Sequence, residues 1–415
     1  MTRTATVIGA GLAGLSAAVR LAEAGVRVRL VDAAAQPGGR CRSYHDPQLG
    51  LLIDNGNHLV LSGNRAVMRY RATIGAVGGL EGPDEAAFAF ADLPSGERWT
   101  VRVNDGPLPW WILSRGRRVP GSRATDYLRL AGLSTGAPGQ TVNERVDGVG
   151  AVWDRLLGPV LLAALNTDPL ASSAELAWAV LRETVARGGR TMRPLVAEPT
   201  LAAAFVEPAV HWLESRGATL TLGRRLRTIG LADGVVTSLD FGQGEELVDG
   251  PVVLATPAWV AADVVPGLTV PDEHRAIVNA HFAITPPANA PRMLGLTGAT
   301  AEWLFAFADR ISVTVSAADR LVDRDRAELA ATFWGEIQQA YGFTAELPRW
   351  QIVKEKRATF AATPEQNARR PEPATRWRNL ILAGDWTATG LPATIEGALR
   401  SGETAARLAL ASMKR

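Results

Sequence analysis

Gly9-Ala10-Gly11-Leu12-Ala13-Gly14 is a glycine loop with a chemical meaning set by its surroundings. An apolar run, Ala5–Ile8, precedes it, and a helical stretch closing at Gly25 follows. In such a unit Gly9 permits a tight turn and Gly11 lets a pyrophosphate approach the backbone. Gly14 lets the helix pack close to the strand. The amides around Leu12 and Ala13 open the helix, where N–H donors and the positive end of the dipole favour an anion. Asp32 ends the next apolar run, Val26–Val31, where its carboxylate can accept from a ribose diol. The loop therefore predicts a dinucleotide site. A glycine turn without a ligand is the weaker reading, because strand, helix, spacing and terminal acid all agree.

Further polar residues cluster by type. Gly38-Gly39-Arg40 follows soon after Asp32. Gly384-Asp385 sits between a buried run, Asn379–Ala383, and a final helix near Thr394–Met413. Asp54, Asn57 and His58 share one loop, and a His/Asp pair there can protonate a leaving group. The alternative is that Asp54 caps the turn and His58 is a packed loop residue. His281 falls on an expected strand, where a satisfied core histidine competes with a substrate contact. His211 and His274 read as helix-surface residues. Trp386 offers a π face to a cation, or a packed indole. Asn166 and Thr167 either line a cavity or end a helix before an Asp-Pro turn.

Composition bounds these readings. The chain has 415 residues, 47% hydrophobic and 21% charged, enough for two domains with large cores. A net charge of +2 gives no electrostatic case for nucleic acid. One cysteine, Cys41, excludes an internal disulfide and a cysteine metal cluster, and it fits a reducing compartment. The apolar start enters the glycine loop at once and reads as a first strand rather than a signal peptide. No apolar stretch approaches the roughly 20 residues of a membrane span.

The elements that must position these residues follow from periodicity and turn signals. Asp46–Gly63 reads as loop and turn, and Glu81–Val119 as short strands. Ala124–Leu133, Val142–Leu165, Ser173–Arg187 and Leu201–Arg216 read as helices. From Ala218 to Ala255 the pattern is a strand, a small antiparallel insertion and a return to a central sheet. Ala280–Thr285 and Ile311–Ser316 read as strands, and Asp325–Tyr341 as a long helix.

Several longer stretches carry a resemblance. They are Ile53 to Asn64, Leu382 to Ala398, Glu355-Lys356-Arg357-Ala358-Thr359-Phe360 and Asn279-Ala280-His281-Phe282. On these the chain resembles the hydroxysqualene dehydroxylases, FAD-dependent enzymes of squalene and hopanoid biosynthesis, over essentially its whole length. They lie in the superfamily of flavin amine oxidases and phytoene-type desaturases.

The resemblance implies an α/β chain with a glutathione-reductase-type Rossmann FAD domain and an interleaved α+β substrate domain. The FAD domain would comprise 1–65, 200–262 and 371–415, and the substrate domain 66–199 and 263–370. It further implies that Gly38, Gly39 and Arg40 line the flavin, that Gly384 and Asp385 contact the ribityl or phosphate, and that Thr394, Ile395 and Glu396 point the last helix at the flavin N1–O2 edge. Such a helix end favours the anionic reduced flavin. Leu226 would hold the adenine through its backbone, on the strand entering the insertion. Cys41 adjoins this region, and the flavin is expected to be held non-covalently.

The implied reaction is reductive. Hydride from reduced flavin N5 would quench an allylic cation left when hydroxysqualene loses water. Catalysis is then expected at His58 and Asp54, with Asn57, His281 and Trp386 near the substrate. A C30 isoprenoid alcohol partitions into bilayers, so a cytoplasmic protein with peripheral membrane contact is expected, helped by arginines near Arg115–Arg118. A polyene desaturase, a flavin amine oxidase and a prenyl-binding escort stay open. The amine oxidase reading loses weight because many such enzymes place a lysine at the flavin, and no lysine precedes residue 354.

Overall fold

The computed structural model describes residues 3–184 and 187–414. Its centre is a five-stranded parallel sheet, in the spatial order Thr219–Thr221, Arg27–Val31, Thr4–Ile8, Val252–Leu254 and Leu380–Leu382. Three distant parts of the sequence thus supply one sheet. The inner strands are near-continuous apolar runs because both faces are covered. Alternate residues go to opposite faces: Val7, Leu30, Val253 and Ile381 join one core, and Ile8, Val31, Leu254 and Leu382 the other.

On the first face lie the helices Leu12–Glu23 and Ile395–Ser412. They cross closely because Gly402 has no side chain. A Cβ there would come within 2.2 Å of the Ala13 carbonyl oxygen. Ser16 Oγ donates to the Leu399 carbonyl at 2.9 Å across the same contact. On the second face sits the expected antiparallel insertion, Thr228–Ala232, Val235–Asp240 and Glu245–Leu247, with the helix Ala258–Val264 beside it.

A second, seven-stranded sheet runs Trp350–Phe360, His274–Phe282, Ile311–Val315, Trp303–Ala306, Met293–Thr297, Ala86–Asp92 and Arg98–Val103. The helix Arg326–Tyr341 covers one face with Leu329, Phe333 and Ile337. Asp325 caps that helix by accepting from the Ala327 and Glu328 amides. An aromatic cluster of Phe88, Phe90, Trp99, Trp303 and Phe305 fills the other face.

Four expectations need correction. Asp46–Gly63 is not all loop: Ser43–Asp46 pairs with Leu51–Asp54, and Leu59–Leu61 pairs with Pro194–Ala197. Val142–Leu165 is not one helix. A short turn at Val142–Glu144 is followed by irregular chain, and the continuous helix covers only 151–165, with a π turn at Trp153–Leu157 before the α-helical Gly158–Leu165. Leu226 lies in coil between two strands, buried in the second core, rather than on a strand. His274 opens the strand His274–Phe282 and is half-buried, so it is not a helix-surface residue. Of the expected helix Ser173–Arg187, Ala174–Glu183 is helical, and positions 185 and 186 lie outside the described residues.

The close helix crossing yields a prediction. Gly402→Leu should lower unfolding stability by about 2 kcal/mol or more through overpacking against the first helix. Urea denaturation of the variant against the parent measures it, and an unchanged midpoint would refute the packing role.

Candidate functional site

The glycine loop sits at the carboxyl end of the central strand. The Gly9 amide donates to the Val31 carbonyl at 2.7 Å, and Gly9 has φ +106°. A Cβ on Gly9 would lie 2.4 Å from the Ala255 oxygen, and one on Gly14 only 1.8 Å from the Gly9 oxygen. These two glycines are demanded by packing. Gly11 differs: a Cβ there would find nothing nearer than Gly39 Cα at 4.0 Å. The helix it opens has no side-chain cap, so its first amides are left for another acceptor. An anionic group fits this cradle, and a side chain at position 11 would fill it.

Asp32 stands beside the cradle. One carboxylate oxygen accepts from the Ala10 amide at 2.5 Å and the other from Ala34 at 2.7 Å, which fixes the carboxylate and leaves lone pairs on both oxygens. The Arg224 amide donates to the Asp32 carbonyl at 2.9 Å, bringing the chain leading to Leu226 to the same strand end. The Gly38 amide donates to the Ala10 carbonyl at 2.8 Å, so the Gly-Gly-Arg segment is laid against the glycine loop.

Arg40 spans from this segment to the last strand. Its Nη2 donates to both Asp385 oxygens at 2.7 Å, and its Nη1 donates to the Ala358 carbonyl. Asp385 is buried, while the Arg40 side chain keeps 43% exposure. Arg370 holds the other side of this turn. It donates to the Asp385 carbonyl at 3.0 Å and to Thr389 Oγ1 at 2.7 Å. Burial pulls the Arg370 guanidinium down to about 10. The last helix then begins with Thr394 Oγ1 accepting from the Gly397 amide at 3.0 Å. Ile395 follows at its first turn.

Glu396 does not face this centre. Its carboxylate accepts from the Ala66 and Val67 amides at 3.1 and 3.0 Å and caps the helix Arg65–Thr73.

His58 belongs to the centre. It is half-buried, makes no hydrogen bond among the described residues, and feels the charges of Arg40 and Asp385. Burial, reinforced by the Arg40 cation, lowers its imidazole to about 4. It is therefore neutral at ordinary pH.

Asp54 is not its partner. Asp54 Oδ1 accepts from Ser43 Oγ at 2.5 Å and from the Leu201 amide at 2.9 Å, capping the helical segment that starts there. Burial raises this carboxyl to about 6. The expected His/Asp pair is thus split between two sites.

The proposed substrate contacts are also redistributed. His281 is fully buried in the seven-stranded sheet, with Nδ1 2.8 Å from Ser312 Oγ, and burial lowers it to about 3. Trp386 packs on Gly384 in the second core and donates to the Thr256 carbonyl at 2.9 Å. Asn57 is buried as well, donating to Thr314 Oγ1 at 3.1 Å, with its Oδ1 left without a partner. Asn166 is a left-handed helix cap at φ 47° that accepts from the Ala317 amide. Thr167 Oγ1 accepts from the Ala362 amide at 2.8 Å. Both are structural. Cys41 is a buried free thiol pushed up to about 12, which leaves it inert.

Three residues near the centre had no role assigned from the sequence, although Glu355 and Arg357 lie in a stretch that carries the resemblance. Arg370 carried no motif. Glu355 places its charge near Arg40 and accepts from Asn55 Nδ2 at 3.2 Å. Arg357 lies over the Trp259 ring, which in turn meets His274 edge-to-face at 5.0 Å.

The chain is similar to known proteins. Residues 12–410 match the family model described as flavin containing amine oxidoreductase. The hydroxysqualene dehydroxylase of Rhodopseudomonas palustris is 53% identical over 99% of both chains. That of Sinorhizobium fredii is 50% identical over 99% of both. Cyclohexylamine oxidase from Brevibacterium oxydans superposes with a TM-score of 0.72 at 16% identity, covering all of both chains. That likeness shows a shared mixed α/β fold.

The pH behaviour of His58 is testable. The unfolded chain protonates this histidine near 6.5, while the folded chain resists until about 4. Its contribution to stability is therefore lost as pH falls from 6.5 toward 4, opposite in sign to Asp54. His58→Gln should narrow the stability difference between pH 7 and pH 5 by about 1–2 kcal/mol. Denaturant titrations at both pH values check this, and an unchanged difference would overturn the assignment.

Proposed function

The chain belongs to the hydroxysqualene dehydroxylases, within the flavin-containing amine oxidoreductases, and from that premise we propose that it reduces hydroxysqualene to squalene. The observation that carries the cofactor part is the open backbone at Gly11 beside an uncapped helix start, with Asp32 fixed at the neighbouring strand end. That set fits a dinucleotide, and so FAD rather than a mononucleotide flavin. Gly9, Gly11, Leu12, Ala13 and Gly14 would hold the pyrophosphate. Asp32 and the backbone at Leu226 would hold the adenosine half. Gly38, Gly39, Arg40, Gly384, Asp385, Thr394 and Ile395 would surround the flavin half. In this reading 1–65, 200–262 and 371–415 form a glutathione-reductase-type FAD domain, and 66–199 with 263–370 a substrate domain.

In the reaction the substrate's C–O bond breaks, a proton drawn from solvent lets the hydroxyl leave as water, and the allylic carbon gains a hydride. Reduced FAD, when bound, would supply that hydride and be left as oxidised flavin. The protein's own part is positional and electrostatic. Arg40 and Arg370 hold the Asp385 turn rigid. The uncapped start of the first helix and the start of the last helix would favour negative charge on the cofactor. His58, neutral and unpartnered, is the side chain able to give an N–H to the substrate oxygen as it leaves.

The strand Leu59–Leu61 begins right after His58, and Leu61 rests on the aromatic cluster with Leu156 and Val160. These apolar side chains suit a long hydrocarbon. An amine-oxidase reading lacks its lysine here: Lys354 donates to the Val322 and Arg324 carbonyls, and Lys356 faces Asp323 at 3.7 Å.

Two experiments test this. Purified protein should be yellow, and Gly11→Val should be colourless and bind FAD at least ~100-fold more weakly, because its side chain occupies the pyrophosphate position. Anaerobically, dithionite-reduced protein should convert hydroxysqualene to squalene, one molecule per flavin oxidised. Oxidised protein that instead introduces a double bond into a polyene would favour the desaturase and refute the reductive direction.

A further inference from the structure

The region from Leu108 to Arg129 carries an apolar surface that the fold does not use. In the single-turn helix Trp110–Leu113, Trp111 and Ile112 turn inward. Trp110 and Leu113 are 53% and 70% exposed, on one face, as residues three apart must be in a tight helix. Leu108 and Leu128 add exposures of 76% and 65%. The base beneath is rigid. Trp111 meets Tyr127 edge-to-face at 5.1 Å, and Tyr127 Oη accepts from the Val119 amide at 3.0 Å.

Scattered exposed leucines need no explanation, but three large apolar groups on two fastened helices, with Leu108 in the bend leading into the first, do. Their surroundings are basic. Arg117 lies over the Trp110 ring at 5.2 Å, and Arg115, Arg123 and Arg129 are exposed nearby. The acids here are Asp126, which accepts from the Arg123 amide, Asp147, which faces Arg129 at 3.2 Å, and the exposed Asp105. Exposed Trp and Leu ringed by arginine is the chemistry of a surface that enters the headgroup layer of an anionic bilayer.

The patch also connects to the candidate site. Trp111 and Ile112 belong to the aromatic cluster with Phe88, Met192 and Phe305, and Leu61 packs against the same cluster. Leu61 ends the strand that begins after His58.

We infer that Leu108, Trp110, Leu113 and Leu128 insert into a bilayer carrying anionic phospholipid, and that the substrate enters and leaves there. This rests on the hydroxysqualene reading, since a C30 alcohol resides in membranes.

Flotation of the flavin-loaded full chain tests it, using vesicles of phosphatidylcholine alone or mixed with phosphatidylglycerol. The parent should float with the mixed vesicles at low salt and fall away at high salt. Trp110→Ser with Leu113→Asp should weaken flotation about tenfold or more while turnover of detergent-dispersed hydroxysqualene persists. Arg117→Glu with Arg123→Glu should remove the phosphatidylglycerol dependence, and it decides the matter if the first variant loses its flavin. Parent protein that stays off vesicles, or variants that float as the parent does, would overturn the inference. So would an apolar variant that turns from dimer to monomer without losing flotation, since the patch would then join two copies. Parent protein that floats but makes no squalene in detergent would instead sink the functional reading and leave this surface standing.

Discussion

The two-pronged ion pair between Arg40 and Asp385 is the constraint on which the rest of the site depends. It joins a turn near the start of the chain to the end of the last strand, 345 residues later. Asp385 is buried, and an unpaired buried carboxylate is costly, so the two turns form together or not at all. Arg370 fixes the backbone of the same turn from the opposite side. The parallel sheet makes this possible, because its strands come from three separated segments and all end on the same edge.

Burial, more than this ion pair, sets the charge at His58. A cation nearby and a low-dielectric setting keep the imidazole neutral, so the residue offers a hydrogen bond rather than a stored proton. In the proposed reaction, a neutral donor beside an apolar cluster would help keep water from a cationic intermediate. The expected His/Asp pair would have placed a carboxylate in that space. The fold instead spends Asp54 on capping the segment at Leu201, and Glu396 on capping the helix Arg65–Thr73.

What was legible in the sequence follows from how each residue acts. Gly9, Gly11 and Gly14 sit at fixed offsets from a strand, so their spacing is readable directly, whereas Gly38 and Gly384 took their expected roles from the family resemblance. The alternating strand, insertion and return after Ala218 was readable for the same reason. Side chains that act through distant partners were not. Nothing local says that Asp54 meets Leu201 or that His281 meets Ser312 across a sheet. Asp46–Gly63 has the composition of a loop, yet part of it pairs with Pro194–Ala197, far along the chain. Trp386 carries an aromatic type that fits either a site or a core, and its contacts with Gly384 and Thr256 decide for the core. The run Trp110–Leu113 reads as uniformly apolar, and only the geometry of one tight turn separates its inward pair from its outward pair.

The most direct measurement is FAD affinity of the apoprotein across a double-mutant cycle at Arg40 and Asp385. Arg40→Met and Asp385→Asn should each weaken FAD binding by about 30-fold or more. The double variant should be no worse than the weaker single, because each substitution already breaks the shared pair. Parent-like affinity in both single variants would contradict the placement of the flavin against this ion pair.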